Sequence, residues 1–91
     1  MSQITPVDKN GRIIHQGMRV RIPSGTVITG TFEGGEKLAE RTYTITVIAA
    51  DEGYEATNDH FGNTPATAPR VCWAGSGGFW HYADAEAVEI V

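Results

Sequence analysis

The sequence is short of the features that most often reveal chemistry. Cys72 is its one cysteine, which excludes an internal disulfide and any zinc site built on several cysteines, so stability must come from packing. No apolar run exceeds four residues, as in Val47-Ile48-Ala49-Ala50, far below the roughly 18 that a membrane-spanning helix needs. The opening Met1-Ser2-Gln3-Ile4-Thr5-Pro6 has neither the basic start nor the apolar stretch of a secretory leader, and a cytoplasmic protein without membrane contact is expected. Cations are scarce too. Seven Lys and Arg stand against eleven Asp and Glu, a net charge of −4 that argues against the broad phosphate-neutralising surface of non-specific nucleic-acid binders. The deficit is uneven: residues 1–50 sum to +2, whereas residues 51–91 sum to −6 and hold Arg70 as their one cation. No phosphate loop of the Gly-x-x-x-x-Gly-Lys type occurs.

Helical periodicity is nearly absent, and the two-residue period of half-buried strands takes its place. Asp8-Lys9-Asn10-Gly11-Arg12-Ile13-Ile14 carries an Asn-Gly pair, which predicts a hairpin turn with positive φ at both central positions. After Gly17 the alternation Met18-Arg19-Val20-Arg21-Ile22 turns Met18, Val20 and Ile22 inward and Arg19 and Arg21 outward, until Pro23 removes a ladder donor. Residues 26–32 are β-branched and aromatic, with Gly30 as a bend or bulge, and residues 34–40 read as a polar loop. Over residues 41–49, Tyr43, Ile45 and Val47 oppose Thr42, Thr44 and Thr46, the pattern expected of a central strand. Residues 51–68 sustain no period and predict an irregular connection that is functional or mobile. Residues 69–73 and 79–82 read as strands joined by Gly75-Ser76-Gly77-Gly78. Asp84-Ala85-Glu86-Ala87 reads as one helical turn capped by Asp84, ahead of a closing strand Val88-Glu89-Ile90-Val91.

These signals predict one all-β domain over residues 1–91: a small antiparallel barrel of five or six strands with one short helical turn before the last strand. Its expected core is Met18, Val20, Ile22, Phe32, Tyr43, Ile45, Val47, Val71, Val88 and Ile90, with at least one of Trp73 and Trp80. Gly17-Met18-Arg19-Val20-Arg21-Ile22 at the front and Tyr82-Ala83-Asp84-Ala85-Glu86-Ala87-Val88-Glu89-Ile90 at the end resemble the SH3-like small barrels. That likeness spans most of the chain and implies an aromatic groove for an extended peptide. Asp8-Lys9-Asn10-Gly11-Arg12 followed by Gly17 resembles the opening of small barrel proteins carried by phages and other mobile elements, which implies an accessory protein that blocks or sequesters a host factor.

The candidate binding residues are Trp73, Gly77, Gly78, Phe79, Trp80, His81 and Tyr82, because both tryptophans flank a Gly-rich turn and glycine is placed where backbone or ligand comes close. Alternation separates Phe79 and His81 from Trp80 and Tyr82, so one pair faces in and the other out. Large aromatics also fill small cores, and the pattern alone leaves open which are exposed. The alternative site is an outward face bearing Arg12, Arg19, Arg21 and Arg41, whose guanidinium forks suit the phosphates of a nucleic acid or nucleotide. Against it, Glu33, Glu36 and Glu40 make cross-strand ion pairs the ordinary outcome. His15, His60 and His81 lack metal-ligand spacing, and Cys72 between Val71 and Trp73 reads as a small buried hydrophobe. Neither a cofactor nor a metal nor a catalytic set is expected. The barrel outline also resembles the plasmid-borne type II dihydrofolate reductases, which implies a subunit of an oligomeric enzyme with a shared pore, yet their active-site strand motif is absent here. The expected function is a non-catalytic module whose partner is another protein.

Overall fold

A computed structural model describes residues 3–30, 35–60, 62–75 and 78–91. Two expectations fall outside them: Phe32 as a core residue and Gly77 as a binding residue. The described residues are all-β, with no α-helix and twelve strands where five or six were expected. In chain order these are β1 (Gln3–Ile4), β2 (Arg19–Ile22), β3 (Val27–Ile28), β4 (Lys37–Leu38), β5 (Tyr43–Thr46), β6 (Ala49–Asp51), β7 (Gly53–Tyr54), β8 (Thr57–Asp59), β9 (Gly62–Thr64), β10 (Arg70–Ala74), β11 (Trp80–Asp84) and β12 (Glu89–Ile90). The excess over expectation comes from bends that break continuous strands and from pairings in the segments read as loops.

Two antiparallel three-stranded sheets hold the core between them. In one, β2 lies between β5 and β12; in the other, β10 lies between β6 and β11. The chain crosses from the first to the second at Val47 and Ile48. The Val47 N–H donates to the Met18 carbonyl on the β2 side, and the Ile48 N–H donates to the Cys72 carbonyl on β10, both at 2.8 Å. Residues 41–49 are thus a corner strand, on the edge of both sheets, and not the central strand expected. Physically, Thr42, Thr44 and Thr46 are exposed and Tyr43 and Ile45 only half-buried, which suits an edge; the fully buried pairs Val20 with Ile22 and Val71 with Trp73 mark β2 and β10 as centres. At the other end, β11 runs through the 3₁₀ turn Ala85–Ala87 into β12. The Ala85 N–H is anchored on the Pro69 carbonyl at 2.9 Å, and Asp84 stands at the N-cap position without making the side-chain cap hydrogen bond expected of it. No sheet among the described residues closes on itself.

Val20, Ile22, Val47, Val71 and Val88 are 0–1% exposed and form the core with Trp73. Full burial of each aliphatic side chain is worth about 1.5–3 kcal/mol. Tyr43, Ile45 and Ile90 pack against this cluster from half-buried positions, and Met18 is half-buried. Ile14, Ile28, Ala39, Ala83 and Ala85 join the core without having been expected.

The N-terminal hairpin is closed differently from the expectation. The Asp8 N–H donates to the Arg12 carbonyl (2.8 Å) around the three residues Lys9-Asn10-Gly11, and only Gly11 takes a positive φ (82°). Asp8 explains the wider turn: its carboxylate is 2% exposed and accepts the N–H groups of Asn10, Arg12 and, from the last strand, Ile90 at 2.9–3.0 Å. One buried side chain thereby ties the hairpin to β12.

Residues 51–68, expected as an irregular connection, hold paired structure. β7 pairs with β1, β8 pairs with β9, and Tyr54 and Thr67 bridge the base of that hairpin. Both strands are polar in sequence, and Asn58 of β8 and all of β9 are exposed, so no apolar alternation announced them.

Candidate functional site

β10 and β11 form the longest ladder, five residue pairs from Arg70 opposite Asp84 to Ala74 opposite Trp80. Residues directly opposite across a pair share a face, and successive residues alternate. Val71, Trp73, His81 and Ala83 therefore share the inner face, and Arg70, Cys72, Ala74, Trp80, Tyr82 and Asp84 the outer one.

On the inner face Trp73 is 3% exposed and belongs to the core, so it offers a partner nothing. The His81 ring meets the Trp73 ring edge-on, with centroids 6.0 Å apart and planes at 78°. Its Nδ1 lies 3.2 Å from the Gly30 carbonyl oxygen, so the tautomer protonated there donates to it. Gly75 is explained by the same ring: a Cβ at that position would fall 2.0 Å from His81 Nε2. Part of the Gly-rich turn is therefore a packing requirement rather than a binding device. Gly78, at φ +81°, has open space around it and serves the turn itself.

On the outer face Trp80 is half exposed (51%); Phe79, expected to share a face with His81, precedes the ladder and is 43% exposed rather than inside. Tyr82 is half-buried. Arg70 Cζ sits 4.2 Å from the Tyr82 ring centroid, while Arg70 Nε is 3.3 Å from Asp51 Oδ2. These three side chains form a half-exposed platform across β6, β10 and β11. Cys72, opposite Tyr82, is 1% exposed. Burial pushes its thiol above the ordinary range and the Asp51 charge adds to this, against opposing effects of Tyr82 and Arg70.

The platform is extended by residues that the sequence reading passed over. Thr29 on the strand end after β3 bridges Tyr82 through two backbone hydrogen bonds (2.9 and 3.0 Å), which joins β3 and β4 to the β11 side of the sheet. Gly30 follows with φ +76°, and a Cβ there would lie 2.3 Å from the Trp80 carbonyl oxygen, so glycine lets the two strands come together. Val27, two residues before Thr29, shares its face, and Leu38 stands opposite Val27. Val27 is 45% and Leu38 60% exposed. The available signal was the alternation Val27-Ile28-Thr29; Leu38 sits alone among polar residues and gave none.

Of the four arginines, two share a strand face. Arg19 and Arg21 share the outward face of β2, but Arg21 Nη1 is bonded to Glu89 Oε1 and Arg19 Nη2 donates to Thr44 Oγ1 at 2.8 Å. Arg12 lies in the N-terminal hairpin near Asp8, and Arg41 precedes β5 in register with the inward residues Tyr43 and Ile45. Among the described residues no three His, Cys, Asp or Glu side chains cluster as metal ligands, and no helix is long and apolar enough to cross a membrane. A separate cleft of about 340 Å³ lies between the N-terminal hairpin and β6, lined by Pro6, Ile13, Ile14, His15, Ala49 and Glu52 among others. Neither a protein-family model nor a curated protein nor a solved structure matches the chain.

Proposed function

We propose that the chain is a non-catalytic protein-binding module, its two sheets arranged as an SH3-like barrel whose outer β3–β4–β11 face receives the partner. The observation that carries this reading is the exposure of Trp80 on a face it shares with Val27 and Leu38. A tryptophan presents roughly 150–250 Å², so leaving half of it in water forgoes on the order of 2 kcal/mol of burial. Scattered exposed apolar residues are ordinary, but three on one sheet face make a contact surface. The Arg70 guanidinium, stacked on Tyr82 and bonded to Asp51, borders that face. Sequestration of a host factor, as the likeness to mobile-element proteins implies, is one form such binding takes. The buried Cys72 thiol and the internally bonded His81 support the non-catalytic part.

The test is affinity capture with the immobilised chain, its Trp80→Ala variant and an Arg19→Ala/Arg21→Ala double variant, each first checked for a native thermal melt. The expected result is a stoichiometric protein that survives nuclease treatment, is retained by the double arginine variant and is lost with Trp80→Ala. Capture that disappears with nuclease or with the arginines would transfer the function to β2 and to nucleic acid.

A further inference from the structure

The charges on the outer face do not balance along one row. Asp51, Arg70 and Asp84 lie side by side on β6, β10 and β11. The guanidinium turns to one neighbour only: it bonds Asp51 and stacks on Tyr82. Asp84 is left exposed, with no ion pair among the described residues and no capping hydrogen bond in the 3₁₀ turn it precedes. Thr29 and Tyr82 pair as an isolated bridge, and Val27, two residues before Thr29, lies on the same side of that bridge as Asp84, two residues after Tyr82, with Leu38 opposite Val27. Trp80 and Val27 lie on opposite sides of that pairing, separated by four residues of strand, or about 13 Å at 3.3 Å per residue. An extended segment spans this distance with side chains at i, i+2 and i+4 on one face.

We propose that the occupant is an extended protein segment carrying a lysine or arginine beside bulky apolar residues. Its cation pairs with Asp84, and its apolar side chains cover Val27, Leu38 and Trp80. The proposal rests on the protein-binding reading and adds the partner's chemistry to it. Charge complementarity decides the sign. A cation continues the alternation of Asp51, Arg70 and Asp84, whereas an acidic segment would meet Asp84 with Arg70 already committed to Asp51. The contact is on the rim of the patch, so its signature is salt-dependent preference more than raw affinity.

The probes are a peptide Lys-Ser-Leu-Ser-Leu-Ser-Lys and its twin with glutamate at both lysine positions, titrated to about 5 mM while the Trp80 indole N–H resonance is followed. At about 0.05 M salt the lysine peptide is expected to bind about fivefold tighter than its twin, with the ratio collapsing at about 0.5 M. Asp84→Lys is expected to reverse the order. Trp80→Ala, followed through backbone amides, is expected to weaken both peptides about tenfold. Equal affinities, a preference for glutamate, a preference that survives Asp84→Lys, or no binding of the lysine peptide overturns the proposal. Loss with Trp80→Ala but indifference to Asp84→Lys would overturn the basic partner and leave the protein-binding reading standing. A dimer in sedimentation that Trp80→Ala dissolves would make a second copy the occupant and also overturn it.

Discussion

The two sheets contribute similar inner faces and opposite outer ones. Inside, Val20 and Ile22 on β2 meet Val71 and Trp73 on β10 in one core. Outside, the β5–β2–β12 face is threonine and arginine, bonded within itself through Arg21 to Glu89 and Arg19 to Thr44. The outer face around β11 instead exposes Trp80, Val27 and Leu38. A face that satisfies its own polar groups gains little from a partner, whereas one that holds apolar side chains in water gains from losing that water. This difference, and not the count of arginines or aromatics, is the ground for proposing the face around β11 as the binding surface.

The comparison requires that both sheets share one core, and the largest effects test that. Trp73→Ala is expected to cost about 3–5 kcal/mol and Ile22→Ala about 2–5 kcal/mol in chemical denaturation. Because the core is common, each variant should lower a single transition seen equally by tryptophan fluorescence and far-ultraviolet dichroism. Two separable transitions, one per sheet, would break the comparison at its base.

Next in size is Gly75→Ala, whose new Cβ would fall on the His81 ring. Overpacking of this kind costs typically about 1–3 kcal/mol. In a double-mutant cycle, His81→Ala should recover most of that loss, since the clash vanishes with the imidazole. Full additivity would mean that Gly75 answers to the turn and not to the inner face.

Asp8 is expected to have a similar effect on the polar sheet. Burial alone would raise its pKa, but the N–H groups of Ile90, Arg12 and Asn10, with the Arg12 charge, hold it below the ordinary 3.8. A depressed folded pKa adds stability above the ordinary carboxylate range, and that stability is lost as the pH falls through the folded value. Asp8→Asn should cost about 1–3 kcal/mol at neutral pH by leaving a buried N–H poorly paired. Its deficit against the native chain should shrink in acid. A deficit that is constant with pH would show that the three hydrogen bonds do not depend on the charge.

How much of this was legible follows from the range of the interactions. The alternation of Met18 to Ile22, the β10–β11 hairpin and the turn at Ala85 are written locally, and the structure has all three. The corner at Val47 was not legible, because the switch of partners from Met18 to Cys72 is a long-range event within an unbroken run of β-forming residues. Asp8 looked like a turn residue, and nothing near it reveals a bond to Ile90 at the far end of the chain. At the site, local alternation separated Trp80 from His81 but could not say which was inside. That was decided by Gly30 and Gly75, whose missing side chains make room for β11 and for the imidazole. Val27 and Leu38 became part of the face only through the bridge of Thr29 to Tyr82.

The smallest expected effect lies on the self-satisfied face, and it tests the comparison from the other side. The Arg21 and Glu89 side chains are 45% and 29% exposed, so solvent screens their attraction and each loses rotamer freedom in holding it. A double-mutant cycle of Arg21→Ala and Glu89→Ala should give a coupling of about 0.2–1 kcal/mol that fades with salt. Glu89 also accepts from Asn10 Nδ2 at 3.3 Å, so Glu89→Ala should cost slightly more than Arg21→Ala by loosening the hairpin. Neither change should alter partner capture. A coupling well above this range, or a binding loss matching that of Trp80→Ala, would show that the arginine face is functional and that the two outer faces are not opposites.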